Sequence, residues 1–209
     1  MKRTMVFIDA NNWYHNLKGW LKPSDIDIKK IVNFISTEKN LDIIEIRWYT
    51  SMPSREDNEL IYKRQRSFLG HLEKQGIKII SRKLQRLSNK ELARKRQNLI
   101  ESWDLCDICK PLVAASFLDM RDTTQKEKGI DVRIAIDMVN YALSNKLECC
   151  ILISGDADFV PALELVKSIG KEVLCAFIPR GYSNELRQKF SHLTIKRDSL
   201  TKCLKEYKK

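Results

Sequence analysis

The chain has 209 residues, of which 43% are apolar, with only 7 glycines and 5 prolines. That suits one domain able to bury a core and excludes a low-complexity chain. Against 27 Asp and Glu stand 38 Lys and Arg, a formal charge of +11 that favours a polyanionic partner, nucleic acid or an acidic membrane face. No apolar run approaches the roughly 20 residues needed to span a bilayer. The run after Met1-Lys2-Arg3-Thr4 stops at Asp9, short of the about 7–15 apolar residues of a signal peptide. A cytoplasmic protein with no membrane partner is expected, and its six cysteines then read as reduced thiols or ligands rather than a disulfide framework.

Met5-Val6-Phe7-Ile8 predicts a first strand, with Asp9-Ala10-Asn11-Asn12 as a loop into a helix over about 13–20. Pro23 ends that helix. Ile28, Ile31, Val32 and Ile35 repeat at helical spacing and predict a helix over 27–38, and the β-branched and aromatic run 43–49 predicts strand 2. A long polar helix over 56–75 follows, with Leu60, Ile61, Phe68, Leu69 and Leu72 as its apolar stripe; Gly76 closes it before a strand at 77–80.

From 81 to 128 the composition shifts. Arg82, Lys83, Arg86, Lys90, Arg94, Lys95 and Arg96 crowd one stretch opposed only by Glu91, and Trp103 and Cys106-Asp107-Ile108-Cys109 come after it. This is too long for an ordinary loop and reads as a basic, Cys-containing insertion at the functional edge. A charge run is most often a solvated helix, but beside the acidic sheet edge described below, if that edge acts on phosphodiesters, contact with a nucleic-acid backbone is the better reading. Trp103, Trp13 and Tyr14 are candidates to stack on bases, with at least one of the latter two packing helix 1 onto the sheet. Arg180 and Lys171 are candidates to flank the same edge.

Helical pattern returns at 130–145, with Val132, Ala135, Ile136, Val139, Ala142 and Leu143 predicted to face the core and Asp131 in the first turn. Cys149-Cys150-Ile151-Leu152-Ile153 reads as a buried strand of a parallel sheet, followed by Ser154-Gly155-Asp156-Ala157-Asp158-Phe159 and a helix over 159–169. A fifth strand at 173–178, a helix at 183–190 and a basic, helical tail at 196–209 complete the chain. Strands alternating with helices predict a three-layer α/β domain around a central parallel sheet, with the domain over 1–190 and a basic C-terminal helix or tail over 191–209.

Asp9, Asp131, Asp156 and Asp158 all lie at strand ends or a helix start. Either Asp of the last pair is an ordinary helix cap when taken singly. Together, clustered carboxylates repel unless a cation neutralises them, and Mg²⁺ or Mn²⁺ suits oxygen ligands. Such an ion supports in-line phosphoryl displacement. Asp137 lies six residues after Asp131, about 240° round the helix, and an i,i+4 pair with Arg133 accounts for it. Neither GxGxxG nor GxxxxGK[ST] occurs, which disfavours dinucleotide or ATP binding.

Phe7-Ile8-Asp9-Ala10-Asn11-Asn12, Lys128-Gly129-Ile130-Asp131 and Ser154-Gly155-Asp156-Ala157-Asp158-Phe159-Val160-Pro161 resemble, in order, the three signature blocks of NYN domains. The similarity is closest to the LabA-like branch of the PIN-like nuclease superfamily and covers residues 4–180. The resemblance implies a Rossmann-like PIN fold and metal-dependent ribonuclease activity. It implies that Asp9, Asp131, Asp156 and Asp158 form the acidic metal-binding set, and Asn12 matches a polar position that orients ligands or phosphate. Asp156, at the strand end, is expected to be the stronger ligand, with Asp158 combining capping and a more peripheral role.

The function expected is a Mg²⁺- or Mn²⁺-dependent endoribonuclease acting on single-stranded RNA. The alternative is an RNA-binding or regulatory scaffold of the same fold with weak or no cleavage; a homo-oligomer is open. A phosphatase of small molecules is disfavoured because Asp9-Ala10-Asn11 lacks the second Asp of a DxD pair. Cys106 and Cys109 have zinc-knuckle spacing, but a structural zinc needs four ligands. His71 is a remote third, and two reduced thiols are the favoured reading over zinc.

Overall fold

A computed structural model describes residues 1–56, 58–88, 90–116, 123–126, 129–179 and 181–205, with the side chains of 85–88, 90, 92 and 123–126 excepted. The chain divides into two compact units, Met1–Arg82 with Gly129–Lys209, and Lys83–Lys128.

The first unit is a three-layer α/β sandwich. Its six-stranded parallel sheet has the order β3-β2-β1-β6-β7-β8. The strands are β1 (Lys2–Asp9), β2 (Leu41–Met52), β3 (Lys78–Lys83), β6 (Cys149–Ile153), β7 (Glu172–Phe177) and β8 (Ser191–Thr194). β1 pairs in parallel with both β2 and β6, so the order reverses between β1 and β6. Alternate side chains feed two cores, as a two-residue period requires. Val6 and Ile8 join Ile151, Ile153 and the buried faces of α1 (Ala10–Leu17), α2 (Ile28–Lys39) and α3 (Glu59–Lys74). Met5 and Phe7 join Cys150, Leu152 and the faces of α6 (Ile130–Leu143), α7 (Val160–Ser168) and α8 (Asn184–Lys189).

Caps set several helix boundaries. Asp27 caps α2, Asn58 caps α3 and Ser183 caps α8. Helix α1 starts three residues earlier than predicted because Asp9 ends β1 and caps the helix at once. β8, paired in parallel with β7, extends the sheet past residue 190, and α9 (Arg197–Lys202) follows it. A strand of four residues with only partly buried side chains carries little periodicity to find. The stripe expected on α3 holds only in its second half: Leu69 and Leu72 are buried, whereas Leu60 and Ile61 are exposed.

Helix α6 is rotated from the predicted orientation: Ala142 is buried and Val139 packs against the core as expected, but Val132, Ile136 and Leu143 do not. Ile130, Ile134, Asp137, Met138 and Ala142 are buried, and Val132, Ile136 and Leu143 are exposed. The reason is a polar network. Asp137 Oδ2 accepts from Arg47 Nη2 at 3.1 Å and from the Tyr49 hydroxyl at 2.9 Å, while its Oδ1 accepts from Arg133 Nε at 2.9 Å. Arg47 also donates to the Tyr141 hydroxyl at 2.8 Å and pairs with Glu45. Burial pushes the Tyr49 phenol far above its usual range and so keeps it a donor. The predicted Arg133 pair exists, but it is the outer part of this network.

In the second unit, β4 (Gln85–Ser88) pairs antiparallel with β5 (Thr123–Lys126), and α4 (Lys90–Ser102) and α5 (Cys109–Ser116) account for the remaining described elements. The basic stretch expected as a helix is helical from Lys90, and its earlier described residues include the strand Gln85–Ser88.

Candidate active site at the carboxyl edge of the sheet

β1 and β6 end side by side, with Ile8 opposite Ile153 in the register. Strand order reverses between them, and ligands of open α/β sheets bind outside the carboxyl ends of strands at such a point. Three of the predicted acids follow directly from these two strands.

Asp9 is buried and fully engaged. Its Oδ1 accepts from the backbone N–H groups of Asn11 and Asn12, each at 3.1 Å, and its Oδ2 accepts from Ser154 Oγ at 3.0 Å. Burial raises the Asp9 carboxyl above its usual range; these donors oppose the rise, and the Asp156 charge adds to it. Asp156 caps the short 3₁₀ turn Ala157–Phe159, its Oδ1 accepting from Asp158 N–H at 3.0 Å. The capping role expected of Asp158 thus belongs to Asp156, because the turn begins one residue after it. Asp158 is exposed, and its carboxylate accepts no hydrogen bond among the described residues.

Asp131 arrives from a third element, the first turn of α6. Gly129 precedes it at φ 77°, a left-handed conformation glycine adopts without strain. A Cβ there would meet Arg82 Nη1, which donates to the Gly129 carbonyl at 3.3 Å. Arg82, predicted to grip nucleic acid, therefore braces the turn that delivers Asp131. The Asp131 carboxyl is raised by desolvation and by the charges of Asp9, Asp156 and Asp158. Asp131 thus lies within the field of the other three acids.

Asn12 fastens the two strand ends. Its Oδ1 accepts from Gly155 N–H at 3.0 Å and from Asn16 Nδ2 at 2.8 Å, and its amide nitrogen has no partner among the described residues. Gly155 is closed over from the other side: a Cβ on it would lie 1.9 Å from the Gly181 carbonyl oxygen, and Ser183 N–H donates to the Gly155 carbonyl at 2.9 Å. Ser154, Asn16 and the approach of Gly181 went unread in the sequence, since a hydroxyl or amide beside a short motif carries no periodic signal.

Trp13 is buried against the sheet and Tyr14 is exposed. Lys171 does not flank this edge. It directly precedes β7, at the opposite end of the strands, and donates to Asn145 Oδ1. Arg180, and the side chains of Arg86 and Lys90, lie outside the described residues. Lys83, Arg94 and Lys95 are exposed, with Lys95 paired to Glu91 at 2.9 Å on α4, and Arg96 is half-buried.

Oxygen donors and mutual repulsion suit these acids to a hard divalent ion. Among the described residues, no three His, Cys, Asp or Glu side chains are already gathered as a metal cluster. Cys106 and Cys109 likewise find no third ligand there. No helix among the described residues is long and apolar enough to cross a membrane.

The six-stranded parallel sheet flanked by helices is the three-layer α/β architecture of a PIN-like protein. The chain belongs to the NYN domain family, which it matches over residues 3–196. A crystal structure of a protein of unknown function from Vibrio parahaemolyticus RIMD 2210633 shares the fold, with a TM-score of 0.57, 16% identity and 95% of each chain covered. No curated protein matches the sequence.

Proposed function

We propose that this protein is a metal-dependent endoribonuclease whose substrate is single-stranded RNA. One observation carries the reading: burial raises the carboxyls of Asp131 and Asp9, and acids from separate elements add to the rise, Asp9, Asp156 and Asp158 at Asp131 and Asp156 at Asp9. Nothing in core packing requires that arrangement in a chain of net charge +11.

Asp9, Asp131 and Asp156 would hold Mg²⁺ or Mn²⁺, with Asp158 at the rim. Such an ion, when bound, would offset their charge and supply the electrostatic activation of water and phosphate that an in-line phosphoryl displacement needs. Ser154 and the α1 N-terminus hold Asp9 in place and oppose the rise that burial imposes on its carboxyl. Asn12 holds the Gly155 backbone in register, and its free amide nitrogen is suited to a phosphate oxygen. Lys83, Arg94 and Lys95 supply the backbone-binding charge, with a cytoplasmic setting as the working assumption.

The second reading, an RNA-binding scaffold, draws support from Asp9 and Asp156, whose oxygens already serve as caps. Labelled single-stranded RNA incubated with the protein in Mn²⁺ or EDTA, beside Asp156→Asn, separates the two. Cleavage only with Mn²⁺ and wild-type protein is expected; RNA binding without metal-dependent cleavage would leave the scaffold.

A further inference from the structure

We propose that Cys106 and Cys109 form a reversible dithiol–disulfide site that exchanges with low-molecular-weight disulfides. The two thiols are exposed, whereas Cys149, Cys150, Cys175 and Cys203 are buried. Cys109 opens α5, and Cys106 stands in the turn before it, its carbonyl accepting from Cys109 N–H and Lys110 N–H at 3.0 Å each. The same Cys109 N–H lies 3.4 Å from Cys106 Sγ. That nitrogen is two bonds from Cys109 Cβ, so the Cys106 sulfur already sits beside the side chain it would join.

The two sulfurs are chemically unequal. Interaction with the Cys109 thiol and the backbone N–H that Cys109 donates to Cys106 Sγ hold Cys106 below the usual thiol range, and the same thiol–thiol interaction raises Cys109. Cys106 is therefore the attacking sulfur and Cys109 the resolving one. The Cys106 thiolate attacks one sulfur of a disulfide RSSR, forming a mixed disulfide and expelling RS⁻. The Cys109 thiol then loses its proton and attacks Cys106 Sγ, expelling the second RS⁻. Two protein thiols and RSSR become one protein disulfide and two RSH, and excess RSH reverses both steps.

The full chain equilibrated with oxidised and reduced glutathione, then alkylated and analysed by peptide mass spectrometry, tests this. Loss of two hydrogens confined to the peptide carrying both cysteines, restored by reduced glutathione, is expected. Cys109→Ser should trap glutathione on Cys106 about threefold or more faster than Cys106→Ser traps it on Cys109. Absence of the 106–109 disulfide at every glutathione ratio would overturn the proposal, and the wild-type protein alone yields that result if a variant fails to fold. Equal trapping rates, or a stoichiometric zinc shielding both thiols from alkylation, would also overturn it.

Discussion

Ser154 donates its hydroxyl to Asp9 at 3.0 Å and so joins the ends of β1 and β6 at the point where strand order reverses. Burial raises the Asp9 carboxyl, and this bond opposes the rise. Ser154→Ala should raise it further, moving the acid limb of the cleavage profile to higher pH. A carboxyl raised by folding contributes stability that is present below its unfolded pKa and lost as pH climbs through the folded value. The variant should therefore be less stable near pH 7, by about 1.5–3 kcal/mol for a hydrogen bond to a charged group. A pH–rate profile and urea unfolding at pH 5 and 7 check both parts.

Arg47 and Asp137 are both buried, and each is the other's ion-pair partner. Asp137→Ala removes the buried carboxylate that Arg47, Tyr49 and Arg133 share, leaves Arg47 only Glu45 and the two tyrosine hydroxyls, and should cost up to about 3–5 kcal/mol. Asp137→Asn, which retains an acceptor, should cost less. Urea denaturation of the two variants gives the comparison directly.

Gly155→Ala should destabilise by about 1–3 kcal/mol or more, because the atom its Cβ would strike is a backbone carbonyl that cannot rotate away. The loop at Gly181 should loosen in the same variant, raising amide exchange at Ser183, whose N–H bonds Gly155. Unchanged exchange there would mean that the close approach does not persist in solution.

Lys83→Ala and Arg94→Ala should weaken RNA binding regardless of sequence. Each should reduce the slope of log affinity against log salt by about 0.7 if the side chain meets a phosphate of single-stranded RNA. Titrations of a fluorescent oligonucleotide at several salt concentrations measure the slope.

Much of this was legible in the sequence because its signals are periodic or terminal. The apolar run Cys149–Ile153 is a fully buried strand, and the acids after β1 and β6 fall at the sheet edge as their positions imply. What escaped was set by polar contacts distant in sequence. α6 carries apolar residues on more than one side, and counting them does not single out the side that buries Asp137 against Arg47, some ninety residues earlier. Arg82 looked like one charge in a run, but its partner is the Gly129 carbonyl. Capping passed from Asp158 to Asp156 through a one-residue difference in where a 3₁₀ turn begins, which spacing cannot resolve.

Asp131 gives the most direct test of the central claim, because it reaches the edge from α6 rather than from the two strands that carry the other acids. The decisive quantity is the single-turnover rate of RNA cleavage by Asp131→Asn in Mn²⁺, measured beside its RNA affinity. A rate at least about a hundredfold below wild type with affinity unchanged is the predicted result. A wild-type rate in this variant would contradict the shared acidic site.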